Sequence, residues 1–261
     1  MFSSFLMPIN SLYLSKTLGL TNIKPYKDSV LGKKEQVKKM FDTISGDYDG
    51  LNRVISFGID VKWRNKVVKL VKQHKPKTIL DIATGTGDLA ISLVKTGADN
   101  IVGLDISTGM LEIGKEKIKH KQLESKIQMV LGDSENIPFQ DNAFDAITVA
   151  FGIRNFEILE KGLKEILRVL KPGGSFVILE TSMPNRAPYK QGYIFYTKYI
   201  LPLIGRIFSK DKSAYKYLSD SASVFPYGED LNNILHKIGF INVTDFPQTF
   251  GVATIYTSSK Q

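Results

Sequence analysis

An α/β architecture, a largely parallel sheet wrapped on both faces by helices, is the fold this sequence predicts, and three observations carry the prediction. From Lys77 onward, short apolar runs alternate with stretches of helical periodicity. One such run, Thr78 to Ile82, leads directly into a Gly-rich turn containing Gly85 and Gly87, after which a helix begins near Asp88 and Leu89. The next run ends in an acid, Asp105, 20 residues after Gly85.

Composition narrows the function classes. At 261 residues and 43% hydrophobic, the chain suits one large domain with a proper core. A net charge of +9 favours an anionic partner, nucleic acid or lipid headgroups, without choosing between them. The absence of cysteine excludes disulfides, Cys-ligated zinc and thiol catalysis. His74, His120 and His236 are widely spaced and read as surface or helix-end residues, so no metal is expected. No run approaches the roughly 20 apolar residues of a membrane-spanning helix. Met1 to Leu20 is apolar with Lys16 its one charge, but it lacks a basic start and Pro8 interrupts it, which makes a poor signal peptide. Residues 1–32 are read as a leader, disordered or mis-started, with Met7 as an alternative start. A weakly membrane-seeking segment is the competing reading.

Taken in order, Lys33 to Ser45 spaces Val37, Met40, Phe41 and Ile44 as a helix. Gly46 to Asn52 is turn-rich and reads as a break. A second helix carries Trp63, Val67, Leu70 and Val71 inward. Strands are expected at Thr78–Ile82, Asn100–Asp105, Ile127–Leu131, Phe144–Val149 and Ser175–Glu180, the fourth central because it is continuously apolar. Ser107 is placed to cap the helix that bears Met110, Leu111 and Ile118. Lys171-Pro172-Gly173-Gly174 stops the helix begun at Ile158 and turns tightly into the fifth strand. From Thr181 to Pro226 the alternation lapses into an aromatic and basic segment. A last helix, Pro226 to Gly239, precedes two strands, Phe240–Phe246 and Val252–Thr257, expected to pair antiparallel at the sheet edge.

The turn after the first strand is a cofactor cradle. Gly85 to Ala90 formally fits the dinucleotide fingerprint G-x-G-x-x-G/A. Asp81 and Asp88, however, are expected to put negative charge where a pyrophosphate has to lie. That favours a cationic ligand without phosphate, S-adenosylmethionine (SAM). Asp105 then accepts from ribose hydroxyls, Asp133 from the adenine amino group, and Ser134 offers its backbone N–H. Arg154, flanked by Ile153 and Phe156, is costly to place unless something anionic faces it, which favours function over a surface salt bridge.

Together these residues resemble the ubiquinone/menaquinone biosynthesis C-methyltransferases, class I SAM-dependent enzymes. The likeness runs from about Lys33 to the C-terminus and rests on separate motifs in the family's order. Tyr48-Asp49, Asn52, Ser56, Gly58, Asp60 and Trp63 match its N-terminal signature, and Asp81 to Asp88 its cofactor loop. Gly132 to Glu135, Phe151-Gly152-Ile153-Arg154-Asn155, Arg168 to Gly174, and Tyr217, Leu218, Ser221, Phe225 and Pro226 follow. Ser134 stands where the family often has Ala, and Ala150 where some members have Ser.

The resemblance implies a Rossmann-like class I methyltransferase domain over 33–261, with a mostly parallel seven-stranded sheet, an antiparallel edge hairpin, and 181–226 as an insertion over the substrate site. It implies C-methylation of a polyprenylated demethyl-quinol, leaning to demethylmenaquinol over the ubiquinone precursor. Asp81, Thr84, Gly85, Gly87, Asp105, Asp133 and Ser134 are the cofactor-binding residues it implies. Arg154 is expected to hold a developing phenolate, Asn155 to orient the ring or a water, and Asp49 beside Tyr48 to accept the proton, with solvent as the alternative acceptor. A tail that stays in the bilayer implies a cytoplasmic enzyme associated peripherally with the membrane surface. Nucleic acid is not an expected partner, since Phe-Gly-Ile-Arg-Asn stands where amino-group methylases of nucleic acids carry an Asn-Pro-Pro-Tyr-like motif. A homo-oligomer is left open.

Overall fold

The computed structural model describes residues 23–201 and 211–261, so positions 1–22 of the expected leader, 1–32, and the middle of the basic segment, 202–210, lie outside the described residues. Seven strands form one sheet: β1 (Thr78–Ile82), β2 (Asn100–Asp105), β3 (Ile127–Leu131), β4 (Phe144–Ala150), β5 (Leu170–Thr181), β6 (Ile241–Gln248) and β7 (Ala253–Ser259). Their order across the sheet is β3-β2-β1-β4-β5-β7-β6. The first five run parallel, and β7 pairs antiparallel with both β5 and β6. β4 is central, as its apolar sequence requires.

Both faces are covered. Alternate residues of β1 divide between two cores: Leu80 and Ile82 pack on one side, Ile79 on the other. The first core takes the apolar stripes of α5 (Leu159–Val169) and α8 (Glu229–Ile238), through Leu163, Ile166, Leu231 and Leu235. The second takes α2 (Ile59–Gln73), α3 (Asp88–Leu93) and α4 (Thr108–His120), through Val67, Val71, Leu89 and Ile118.

Two expectations need correction. The first helix does not end at Ser45. α1 runs unbroken from Lys33 to Ser56, straight through Gly46 to Asn52. Neither Gly46 nor Gly50 is held in a conformation that needs glycine, and Leu51 beyond them is buried, so packing overrides the local turn preference. The fifth strand begins earlier than Ser175. Leu170 already pairs with Phe144, and Lys171 to Gly174 is carried as an irregularity within β5, fastened where Gly173 N donates to Lys260 O at 3.0 Å and Lys260 N donates to Gly174 O at 3.2 Å, just past the end of β7.

α1 lies outside the two main cores and makes a third. Val37, Met40 and Ile44 pack with Met110 of α4 and with Ala214 and Tyr217 of α7 (Lys212–Val224), and Ile23 and Tyr26 join them. The chain therefore packs from Ile23 onward. α6 (Tyr189–Phe195) continues into a π-helical turn, Tyr196–Ile200, and is tied to α1 where Tyr196 Oη donates to Ile55 O at 2.7 Å.

Candidate active site

The order of the sheet reverses between β1 and β4, and the turns leaving these two strands cross there. Crossing requires close approach: a Cβ on Gly152 would lie 2.4 Å from that of Ala83. Ala83 and Phe151 hold left-handed backbone at φ 52° and 55°. Strain of this kind persists where surrounding structure enforces it, commonly at sites. Gly85, at φ 56°, turns its N–H onto Asp105 Oδ2 at 2.8 Å, while Asp105 Oδ1 accepts from Ser107 N at 2.9 Å. Burial pushes the Asp105 carboxyl up, and those amide donors pull against it.

An open cleft of about 700 Å³ lies beside this crossing. Of the site residues expected from sequence, Tyr48, Gly85, Asp105, Asp133, Ser134 and Asn155 line it. Leu104, Ile106, Met110 and Phe156 supply apolar wall, and Glu135 and Glu157 add carboxylates.

Asp81 does not face the cleft. It is buried behind the turn, where Oδ1 accepts from Thr148 and Oδ2 from Thr84, both at 2.6 Å. Burial raises its pKa to about 6 against those hydroxyls. Thr84 is buried with it, and Gly87 turns towards Met129, so these three hold the shape of the turn. Asp88 is likewise engaged, by Arg64 at 3.3 Å and by Lys117. The acids expected to repel a pyrophosphate are thus neutralised or hidden. The negative charge comes instead from Asp105, Asp133, Glu135 and Glu157, against one lining cation, Lys34, paired to Asp133 at 2.7 Å and Glu135 at 3.2 Å.

Asp49 is also off the cleft. It accepts from Thr86 Oγ1 at 2.5 Å and pairs with Lys117 at 2.8 Å. With Arg64 bridging Asp60 and Asp88, and Ser56 donating to Asp60 at 2.6 Å, this chain of charges ties α1, α2, α3 and α4 around the Gly turn. The N-terminal motif is therefore a brace for the cradle, completed where Trp63 Nε1 donates to Thr249 at 2.9 Å.

Arg154 sits in a 3-10 turn, Ile153–Asn155, and is buried. The anion that faces it belongs to the protein. Its Nη1 pairs with Glu180 Oε1 at 2.5 Å and donates to Phe151 O at 2.8 Å. Burial works against the charge, but Glu180 and the neighbouring Tyr48 and Tyr217 hold its pKa above the usual guanidinium value. Arg154 Nε and Glu180 Oε2 are buried without hydrogen-bond partners. Asn155 accepts from Tyr217 Oη at 3.2 Å.

Sequence reasoning missed Glu180, Lys33, Lys34, Glu135 and Lys117. Glu180 had a positional signal, an acid at the carboxyl end of a core strand. Lys33 had none: its Nζ is buried and donates to Phe156 O at 2.8 Å, and burial lowers its pKa to about 8. Glu157 meets the first backbone N–H groups of α1, at 2.8 Å from Lys33 N, in place of a local cap.

The model of the ubiE/COQ5 methyltransferase family matches residues 29–260. The chain belongs to this family. It is 48% identical over 240 residues to the demethylmenaquinone methyltransferase of Bacteroides fragilis, covering 91% of this chain and 97% of that one. It is 46% identical over 230 residues to the ubiquinone/menaquinone biosynthesis C-methyltransferase UbiE of Geotalea daltonii, covering 87% and 97%. Among solved structures, the [4+2]-cyclase SpnF superposes with a TM-score of 0.60 at 17% identity, over 87% of this chain and 96% of that one. A SAM-dependent methyltransferase of Thermotoga maritima gives 0.57 at 18%, over 86% and 99%. These last two likenesses establish the class I fold alone.

This ubiE/COQ5 family member is thus a methyltransferase with SAM as its donor, and the cleft fits that cofactor. Its Gly85 turn lets a ligand approach the main chain, its apolar wall suits an adenine, and its carboxylates suit ribose hydroxyls and cationic groups. A dinucleotide phosphate finds no unpaired cation among the residues lining it.

Proposed function

We propose that this methyltransferase transfers the methyl group of SAM to a ring carbon of demethylmenaquinol, working at the membrane surface where the polyprenyl tail of that substrate resides. The observation that carries the reading is the 48% identity to a demethylmenaquinone methyltransferase across 91% of the chain.

Bound SAM supplies an electrophilic methyl on a sulfonium. Tyr48 and Asn155 line the same cleft as the cofactor residues and hold the quinol ring in line with that methyl, where positioning accounts for most of the rate. The reacting carbon becomes nucleophilic when its neighbouring ring hydroxyl loses a proton. The buried charge of Arg154, with Nε unspent, stabilises the resulting oxyanion, and Glu180 keeps the guanidinium oriented. Tyr48, Tyr193 and Tyr217 have pKa values raised by burial, so they act as donors and not as bases near neutrality. With Asp49 committed to Thr86 and Lys117, water in the cleft takes the hydroxyl proton, the C–H proton leaves the methylated carbon to restore the aromatic ring, and one proton returns to the oxygen, so each methyl transferred releases one proton to solvent.

A methyl-transfer assay with radiolabelled SAM tests this. Reduced short-chain demethylmenaquinol should accept label on the naphthoquinol ring carbon, and Arg154→Ala should abolish it. Label on a ubiquinone-precursor analogue alone would reassign the substrate, and no label on either quinol despite SAM binding would sink the quinone reading.

A further inference from the structure

Two phenylalanines that no catalytic argument uses hold backbone conformations that disfavour large side chains, and both show their rings to solvent. Phe57, just past α1, has φ 50° and ψ 31° and is 72% exposed. Phe250, in the turn between β6 and β7, has φ 59° and ψ 18° and is 65% exposed. Bulky residues are rarely left-handed, and such strain is retained where the side chain has a task. The two rings bracket α6 and its π-helical turn. Phe250 stacks on Tyr189 at 3.8 Å, and Phe57 lies 6.0 Å from Tyr196. Between and just beyond these contacts the helix exposes Ile194, Phe195 and Tyr199, interleaved with exposed Lys190 and Lys198.

We propose that α6, its π-helical turn and the two flanking phenylalanines form one landing face that inserts into an anionic lipid surface. The proposal deepens the membrane-surface reading above and rests on it. An interfacial helix needs apolar and aromatic groups at acyl depth with bases at headgroup level, which is the pattern here. From Thr181 to Ile200 there is no acidic residue, while Arg186, Lys190 and Lys198 add to a net charge of +9. That complements phosphatidylglycerol. A second copy docked here by two-fold symmetry sets these bases against their own equivalents. Tyr193, on the same helix, is half-buried and feels the charges of Arg154 and Glu180, so the face lies one helix away from the proposed reaction site.

The test uses the full chain with vesicles of phosphatidylglycerol and phosphatidylethanolamine, and with neutral phosphatidylcholine vesicles. Wild type should co-sediment with the anionic vesicles and much less with the neutral ones. Phe57→Gly with Phe250→Gly should weaken vesicle binding by about tenfold or more. Glycine suits both left-handed positions, so the melting temperature should hold or rise and misfolding cannot mimic the result. Lys190→Glu with Lys198→Glu should remove the preference for anionic vesicles. Methyl transfer to a water-soluble short-chain quinol should change by less than about twofold in the glycine variant. Three results overturn the proposal: no binding by wild type, undiminished binding by the glycine variant, or a dimer in solution that the glycine substitutions dissolve. Failure of the soluble quinol to accept label while vesicle binding behaves as expected sinks the substrate reading and leaves the landing face standing.

Discussion

Arg154 shows how far a single residue can be read from its neighbours. Its flanks, Ile153 and Phe156, demanded an anion, and the chain supplies one in Glu180, 26 residues away at the end of β5. That partner was invisible locally because pairing across adjacent strands is set by sheet order and not by spacing. The pair makes a stability prediction distinct from its catalytic one. Removing one member leaves a buried charge without its counterpart, so Glu180→Ala should cost about 3–5 kcal/mol in urea unfolding. Arg154→Met with Glu180→Met should lose less than the sum of the single changes, while methyl transfer stays absent in all three. Strictly additive losses would show that the two charges do not support each other. Asp81 carries a pH prediction. Burial raises its folded pKa to about 6 from 3.8, so the folded state favours its protonated form. Its contribution is complete below the unfolded value and is lost as pH rises through 6. The stability advantage of wild type over Asp81→Asn should therefore shrink between pH 4.5 and 7, by on the order of 2–3 kcal/mol. An advantage that grows over that range contradicts the assignment.

At the scale of elements, the sheet was legible because its signals are periodic and local. The apolar runs of β1 to β4, the Gly85 turn and the Ser107 cap fall where the structure has them, since each depends on residues within one turn of chain. α1 was misread because Gly46, Asp47, Gly50 and Asn52 all favour turns, and what holds the helix through them is contact with α4, α7 and the Gly turn, information absent from a short window. This makes a direct test. A Cβ at Gly46 or Gly50 meets nothing within 4 Å, and neither residue has positive φ. Gly46→Ala with Gly50→Ala should stabilise the protein by about 1–2 kcal/mol in total, with methyl transfer retained. Destabilisation would mean that the stretch bends after all. Gly162 in α5 behaves oppositely. There a Cβ would stand 2.4 Å from the Phe156 ring, so the helical gain of alanine is outweighed by the clash. Gly162→Ala should lower stability by about 1–3 kcal/mol, and because Phe156 lines the cleft it should also weaken SAM binding by equilibrium dialysis.

For the whole molecule, the cofactor residues expected from sequence divide by position into those that touch the cleft and those that shape it. Gly85, Asp105, Asp133 and Ser134 are on the wall, whereas Asp81, Thr84 and Gly87 sit behind the turn they hold. A motif match alone does not separate the two, because both kinds occupy the same few residues of sequence. Ligand binding separates them. Because the cleft is framed by α1 on one side and the strand ends on the other, a ligand there links the outer helix to the sheet and should raise the unfolding temperature by mass action. At a hundredfold excess over Kd, S-adenosylhomocysteine should add about 2.7 kcal/mol, roughly 5–10 °C for a chain of this size. Asp105→Asn keeps the size of the side chain but can accept from only one of Gly85 and Ser107 and gives up the charge offered to ribose hydroxyls, so it should lower the melting temperature without ligand and also lose most of that shift at the same ligand concentration. Thr148→Val removes one hydroxyl from Asp81 behind the turn. It should lower the melting temperature without ligand but keep most of the ligand-induced shift. If the two variants behave alike, the division between wall and support is wrong, and Asp105 belongs with the residues that merely shape the cradle.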